Sequence, residues 1–206
     1  MRPPSHSHSQ DKQGLLLLKS ACFVVGLLPL SRLLLGAWQE SLGANPIEKI
    51  THQTGFWTLT FLIITLCATP LRRLCGWLWP LRLRRMLGLF AFFYACLHFL
   101  TYLILDQFFD WPAISEDILK RPYISIGFTA FLLLIPMAVT SNKAMITRLG
   151  GKRWRRLHRL IYPIAIAGVI HYLWLVKKDL SQPLLFTELL IILLAIRLVY
   201  RHTGKT

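Results

Sequence analysis

Acidic residues are scarce in this chain: nine Asp and Glu stand against 24 Lys and Arg in 206 residues. Charge of either sign is sparse, at 16% of residues, where soluble domains carry about 25%. No glycine-rich GxGxxG turn is present, and no stretch is left over to build a sheet. The chain therefore has no nucleotide-binding domain of its own and cannot take hydride from NAD(P)H unaided. Its cysteines, Cys22, Cys67, Cys75 and Cys96, form no CxxC pair. Three lie in apolar runs and one in a basic loop, which reads as unpaired thiols. The alternating pattern of a membrane β-barrel is missing as well.

Apolar sequence is abundant: 54% of residues are hydrophobic and the mean hydropathy is +0.50. Six apolar runs cover residues 15–38, 55–71, 86–105, 123–139, 157–176 and 183–200. Each is near the ~20 residues a helix needs to cross the hydrocarbon core. The expected fold is all-α, a polytopic six-helix transmembrane bundle in the lipid bilayer. Residues 15–200 form its single domain, between a disordered tail at 1–14 and a short tail at 201–206. Lys19 and Arg32 lie near the ends of the first run, where long side chains reach the interface. Trp77, Trp79, Trp111 and Trp174 near helix ends fit interfacial anchors.

The net charge of +15 does not point to nucleic acid, because the basic residues sit in short connections between apolar runs. The connections after runs two and four hold five (Arg72, Arg73, Arg82, Arg84, Arg85) and six (Lys143, Arg148, Lys152, Arg153, Arg155, Arg156) Lys/Arg, with no carboxylate. The connections after runs one, three and five hold five Lys/Arg and seven carboxylates. Basic loops stay cytoplasmic, so the expected topology is multi-pass with both termini inside.

Within this frame the histidines stand out, since an imidazole in hydrocarbon is costly and marks a site. His98 lies 13 residues beyond Arg85, and His171 lies 15 beyond Arg156. At about 1.5 Å per residue both rings stand roughly 20 Å above the cytoplasmic edge, at matching heights on parallel helices. That match suits axial ligation of one haem iron between the third and fifth spans. His158 sits at the inner edge, level with Arg84 and Arg85, and about 140° from His171 on an ideal helix. Pro163 between them can distort that spacing. His52 lies at the outer interface, and His6, His8 and His202 lie in the tails. Tyr94 and Tyr102 flank His98.

The ordered motifs RRMLGL (84–89), LHFLTY around His98, RPY (121–123), WRRLH (154–158) and HYLW (171–174) resemble the MsrQ family, also called YedZ. That family belongs to the wider ferric-reductase-like transmembrane group, which includes the NADPH oxidases. The resemblance covers nearly the whole chain. It implies an inner-membrane haem b protein that passes electrons to MsrP, a periplasmic molybdopterin enzyme reducing methionine sulfoxide in oxidised proteins. It also implies FMN, and a donor that is either the quinone pool or a cytosolic flavin reductase. On this reading the chain is an electron-transfer subunit rather than the catalytic one. The family's haem-associated histidines fall on His98, His158 and His171.

The NADPH oxidases have two histidines on the third span and two on the fifth. Here Arg84 or Arg85 occupies the inner position of the third span, so one complete His–His pair, hence one haem, is expected. His158 is then a residue supporting that site, an alternative ligand, or part of a flavin or quinone site. Arg84 and Arg85 suit a flavin phosphate. Two other readings stand beside this one. One is a quinol-oxidising or metal-reducing cytochrome with a different acceptor; the other is a non-redox transporter or assembly factor.

Overall fold

The computed structural model describes residues 6–202, and side chains from 13 to 200. The tail residues 1–5 and 203–206, and the side chains of His6, His8 and His202, lie outside it. The described residues are helical with no strand. Two compact units divide the chain, Met1–Pro46 and Ile47–Thr206.

The first unit is the helix α1 (His6–Trp38) and the turn after it. The helix starts well before the apolar run, so backbone expected to be irregular is helical from His6. Gln13–Trp38 is long and apolar enough to cross a membrane. Leu42 folds back over Gly36, where an added Cβ would meet its Cδ2 at 2.7 Å.

The second unit contains α2 (Pro46–Cys75), α3 (Trp79–Leu100) and a π-helical turn (Thr101–Asp106). Next come α4 (Trp111–Lys120), α5 (Pro122–Val139), α6 (Lys143–Leu149) and α7 (Gly151–Leu157). A 3₁₀ turn (His158–Leu160), α8 (Ile161–Leu175) and α9 (Ser181–His202) complete it. Besides α1, the segments Pro46–Cys75, Trp79–Asp106, Pro122–Val139 and Ser181–Tyr200 meet the length and apolarity of a membrane span.

The expected span at 157–176 is the exception. It is divided between α7, the 3₁₀ turn and α8, whose 15 residues rise only about 22 Å. Pro163 has no N–H for the carbonyl of Arg159, four residues back, and the chain tightens to 3₁₀ just there. Two connections hold more helix than their polarity suggested. α2 begins at Pro46, nine residues before its apolar run, with Pro at the first turn. The acidic connection contains α4, capped by Asp110, whose carboxylate accepts from the Ala113 N–H at 3.1 Å.

The core of this unit is drawn from α2, α3 and α8. Leu62, Leu66, Leu83, Ala91, Tyr94, Ile164 and Ala165 are almost wholly buried. Phe61 stacks on both Phe90 (5.2 Å) and Tyr94 (5.5 Å). α5 packs on both α3 and α8, and α8 packs on α9. The bundle has two chemically distinct ends. The acidic end carries α4 and the ion pairs Glu116–Lys120 and Asp117–Arg121. The basic end carries α6, α7 and the first turns of α3.

Candidate functional site

His98 comes from α3 and His171 from α8, and their rings meet with centroids 6.0 Å apart and planes at 80°. Both rings are half-buried, and each is fixed from behind by a backbone carbonyl. His98 Nδ1 lies 2.9 Å from the carbonyl oxygen of Thr51 on α2. His171 Nδ1 lies 2.6 Å from that of Tyr123 on α5. A carbonyl only accepts, so Nδ1 carries the hydrogen in both rings, and each neutral ring keeps its lone pair at Nε2. This is how metal-binding imidazoles are oriented, with the far N–H tied down and the near nitrogen open.

A glycine makes each approach possible. An added Cβ on Gly55 would meet His98 Cε1 at 3.1 Å, and one on Gly127 would meet His171 Nδ1 at 2.7 Å. Gly55 stands four residues after Thr51, and Gly127 four after Tyr123. The same device thus occurs twice: a helical carbonyl at one position, a glycine one turn on, and an imidazole from another helix laid across the gap. Each carbonyl serves its own helix as well as the imidazole, and that of Thr51 also accepts from the Thr54 hydroxyl at 2.9 Å.

With both Nε2 atoms turned to one metal, two metal–imidazole bonds of about 2 Å and two ring radii of about 1.1 Å would place the centroids about 6 Å apart, which the observed separation matches. Among the described residues no group of three or more His, Cys, Asp and Glu is gathered for an ion. A two-ligand site suits a metal whose other ligands come from a macrocycle.

Beyond His98, α3 loosens into the π turn Thr101–Asp106, a form common at functional sites. It leads to a polar knot on half-buried ground. Tyr102 Oη and Gln107 Nε2 donate to one Asp117 carboxylate oxygen at 3.1 and 3.2 Å, and Arg121 Nε pairs with the other at 3.0 Å. Arg121 therefore braces α4 against the start of α5, two residues before the Tyr123 carbonyl. Tyr102 is held in this knot, and Tyr94 is buried in the core against Phe61.

His158 is built differently. Its ring stacks on Trp154 at 4.0 Å, and its Nε2 lies 3.1 Å from Thr140 Oγ1. That hydroxyl donates to the Pro136 carbonyl at 2.6 Å, so the hydrogen between Thr140 and His158 belongs to Nε2. The tautomer is the reverse of the other two rings. Trp154 Nε1 donates to the Thr140 carbonyl at 2.9 Å and closes the knot. His52 is exposed beside Glu48, 4.0 Å away.

Arg84 and Arg85 part company: Arg85 is exposed on α3, whereas Arg84 is half-buried, as is Arg197 of α9, which donates to Tyr162 Oη and the Leu66 carbonyl. The sequence reading passed over Arg197, although an arginine inside the last apolar run carries the same signal as the histidines. It also passed over Thr51, Tyr123, Gly55 and Gly127.

Comparison with known proteins agrees with the motifs. Residues 54–169 match the family model described as ferric reductase like transmembrane component. A relative from Azospira oryzae is 58% identical over 185 residues, covering 89% of this chain and 79% of its own length. One from Herminiimonas arsenicoxydans is 55% identical over 188 residues, covering 90% and 86%. One from Rhodospirillum rubrum is 58% identical over 185 residues, covering 87% and 86%. Each is named protein-methionine-sulfoxide reductase heme-binding subunit MsrQ. With identity this high over nearly its whole length, and with a match to the transmembrane model, the chain belongs to the MsrQ family of ferric-reductase-like membrane proteins.

Proposed function

We propose that this chain carries one b-type haem between His98 and His171 and relays electrons to a methionine sulfoxide reductase. The observation that carries the proposal is the facing pair of imidazoles, each with Nδ1 held by a carbonyl and Nε2 open. Bound there, haem would supply one-electron redox chemistry. The protein's share is to hold two neutral rings at a fixed separation, so that iron in either oxidation state finds the same ligands. The Thr51 and Tyr123 carbonyls raise ring basicity and prevent rotation about χ2. Gly55 and Gly127 admit the rings to those carbonyls.

We place the basic end in the cytoplasm, with α8 and the turns before it as the sixth crossing and both termini inside. The histidine pair then lies in the outer half of a bacterial inner membrane. A periplasmic MsrP-like molybdopterin subunit can approach it past α4, and methionine sulfoxide reduction takes place there rather than on this chain. The donor is the quinone pool or a cytosolic flavin reductase, working at the basic end with FMN near Arg84.

The test is haem retained by purified variants, read by absorbance. His98→Ala and His171→Ala each abolish bound haem, and His158→Ala retains a substantial fraction because its Nε2 is already committed to Thr140. Wild-type haem content in His171→Ala would overturn the assignment.

A further inference from the structure

One carboxylate at the acidic end is tied to both halves of the histidine site. Asp117 of α4 is the only charged residue buried among the described residues, at 9% exposure. Its Oδ2 takes Tyr102 Oη at 3.1 Å and Gln107 Nε2 at 3.2 Å, and its Oδ1 takes Arg121 Nε at 3.0 Å. Glu116 and Lys120 of the same helix pair at the same i,i+4 spacing, yet both are exposed, where such a pair contributes little. Burying a carboxylate is costly unless it is paired. The three donors around Asp117 therefore call for a reason that the surface pair does not.

Its two oxygens serve opposite sides of the site. On the Oδ2 side, Tyr102 stands four residues beyond His98, and the Gln107 N–H donates to the Tyr102 carbonyl at 2.9 Å. Residues five apart lie about 140° from one another on an α-helix. The π turn, bonded from i to i+5, brings Tyr102 and Gln107 to the same carboxylate oxygen. On the Oδ1 side, Arg121 is the N-cap of α5 and makes no capping side-chain bond. The start of α5 is held by α4 instead. The Arg121 N–H donates to the Asp117 carbonyl at 3.0 Å, and Ser125 Oγ donates to the Ile118 carbonyl. Two residues beyond Arg121 is the Tyr123 carbonyl that orients His171.

We infer that Asp117 is a positioning residue for the histidine pair: by tying the segment after His98 to the start of α5, it sets the angle between the two imidazole planes. Those planes stand at 80°. The inference rests on the proposed function for the iron that reads this angle. A firm Nδ1–H bond makes an imidazole more basic, which favours ferric over ferrous iron. Loosening the Tyr123 carbonyl therefore raises the potential of a bound haem. Turning one ring against the other changes the anisotropy of the low-spin ferric EPR signal.

The test compares full-length, haem-loaded wild type in nanodiscs with Asp117→Ala, Asp117→Glu, Arg121→Gln and Glu116→Ala. Amide hydrogen exchange reads the tie itself, with or without haem. Asp117→Ala should speed exchange several-fold both at 101–107 and in the first turn of α5. Redox titration and EPR read the positioning. Asp117→Ala should shift the ferric-to-ferrous preference about tenfold, a rise of about 59 mV for a one-electron couple, with altered EPR anisotropy. Asp117→Glu should recover part of that shift, and Glu116→Ala should show none. Adding Arg121→Gln to Asp117→Ala should extend the shift no further, as for two members of one chain of contacts. Faster exchange with potential and EPR unchanged would make Asp117 merely structural and overturn the inference. Faster exchange in only one of the two segments would overturn it too. Should Asp117→Ala fail to accumulate, Arg121→Gln decides, because it cuts the half-exposed side alone and should move potential and EPR in the same direction. A wild type without haem would sink the proposed function, and the exchange arm would still decide whether Asp117 joins the two segments.

Discussion

The two ends of the bundle are opposites. Towards the acidic end, two imidazoles are neutral, hydrogen-bonded from behind and open in front. Towards the basic end, the guanidiniums of Arg84 and Arg197 are charged, and His158 is closed off by Thr140. His98 and His171 lie in apolar sequence and His158 at a basic edge, yet what each can do is decided by which ring nitrogen the protein has already occupied. With Nδ1 occupied, the ring can ligate through Nε2; with Nε2 occupied, the ring is a packing element with one lone pair left over. Histidines of similar depth are thus told apart by their hydrogen-bond partners.

This contrast is most sharply broken at the glycines. Gly127→Ala drives a methyl group to within 2.7 Å of His171 Nδ1, so the ring must leave the Tyr123 carbonyl. Loss of such a supporting contact costs about 10–100-fold in metal affinity, read as haem released to apomyoglobin. Gly55→Ala should cost less, because its closest contact is 3.1 Å. Equal haem retention in wild type and Gly127→Ala would mean the carbonyl does not hold the ring in place.

At the basic end, charge reversal of Arg84 should slow haem reduction by the donor several-fold with the haem spectrum intact. Reversal of exposed Arg85 alone should leave the rate within about twofold, as a screened surface charge does. Stopped-flow reduction separates the two, and equal effects would return Arg84 to a topological role. A smaller effect isolates the bond from Arg197 to the Leu66 carbonyl, whose helical N–H partner is missing at Pro70. In Pro70→Ala the Leu66 carbonyl regains a helical N–H, so Arg197→Gln should destabilise that background by about 1 kcal/mol less than it does wild type. Thermal melts of the four proteins give the coupling, and additivity would show that Arg197 does not serve that carbonyl.

The smallest effect lies at the start of α9. Asp179 accepts from the Ser181 N–H at 3.0 Å, and hydrogen bonds from Ser181 hold its carboxyl below the usual range. A lowered folded pKa contributes stability above the ordinary value of about 3.9. That stability is lost as pH falls through the folded value. Asp179→Asn should therefore lower stability slightly at neutral pH and not at all once the carboxyl is protonated. A melting difference independent of pH would rule this out.

Much of this organisation was legible in the sequence, for reasons that can be named. The span at 123–139 emerges as Pro122–Val139 because Pro122 opens the helix and apolar residues fill it. His98 and His171 were paired by counting residues from charged ends, and their rings do meet, although the count to His171 crosses the 3₁₀ turn. The division of the span at 157–176 was foreshadowed only by Pro163. The carbonyls of Thr51 and Tyr123 were not legible, because every residue has a carbonyl and no pattern marks the one that will accept a ring. Their trace is a glycine four residues on, in THQTG and YISIG. Arg197 was legible and overlooked, hidden in a run scored for its apolar average.

The doubled carbonyl–glycine device also shapes how this protein can drift. Both acceptors are main-chain atoms, so changing the side chain of Thr51 or Tyr123 leaves the hydrogen bond intact. The mutational burden of holding two rings passes to two positions without side chains, where every replacement adds atoms. A saturation library should tolerate wide variety at Thr51 and Tyr123 and almost none at Gly127. The fragile letters of the site are then the ones with the least chemistry of their own.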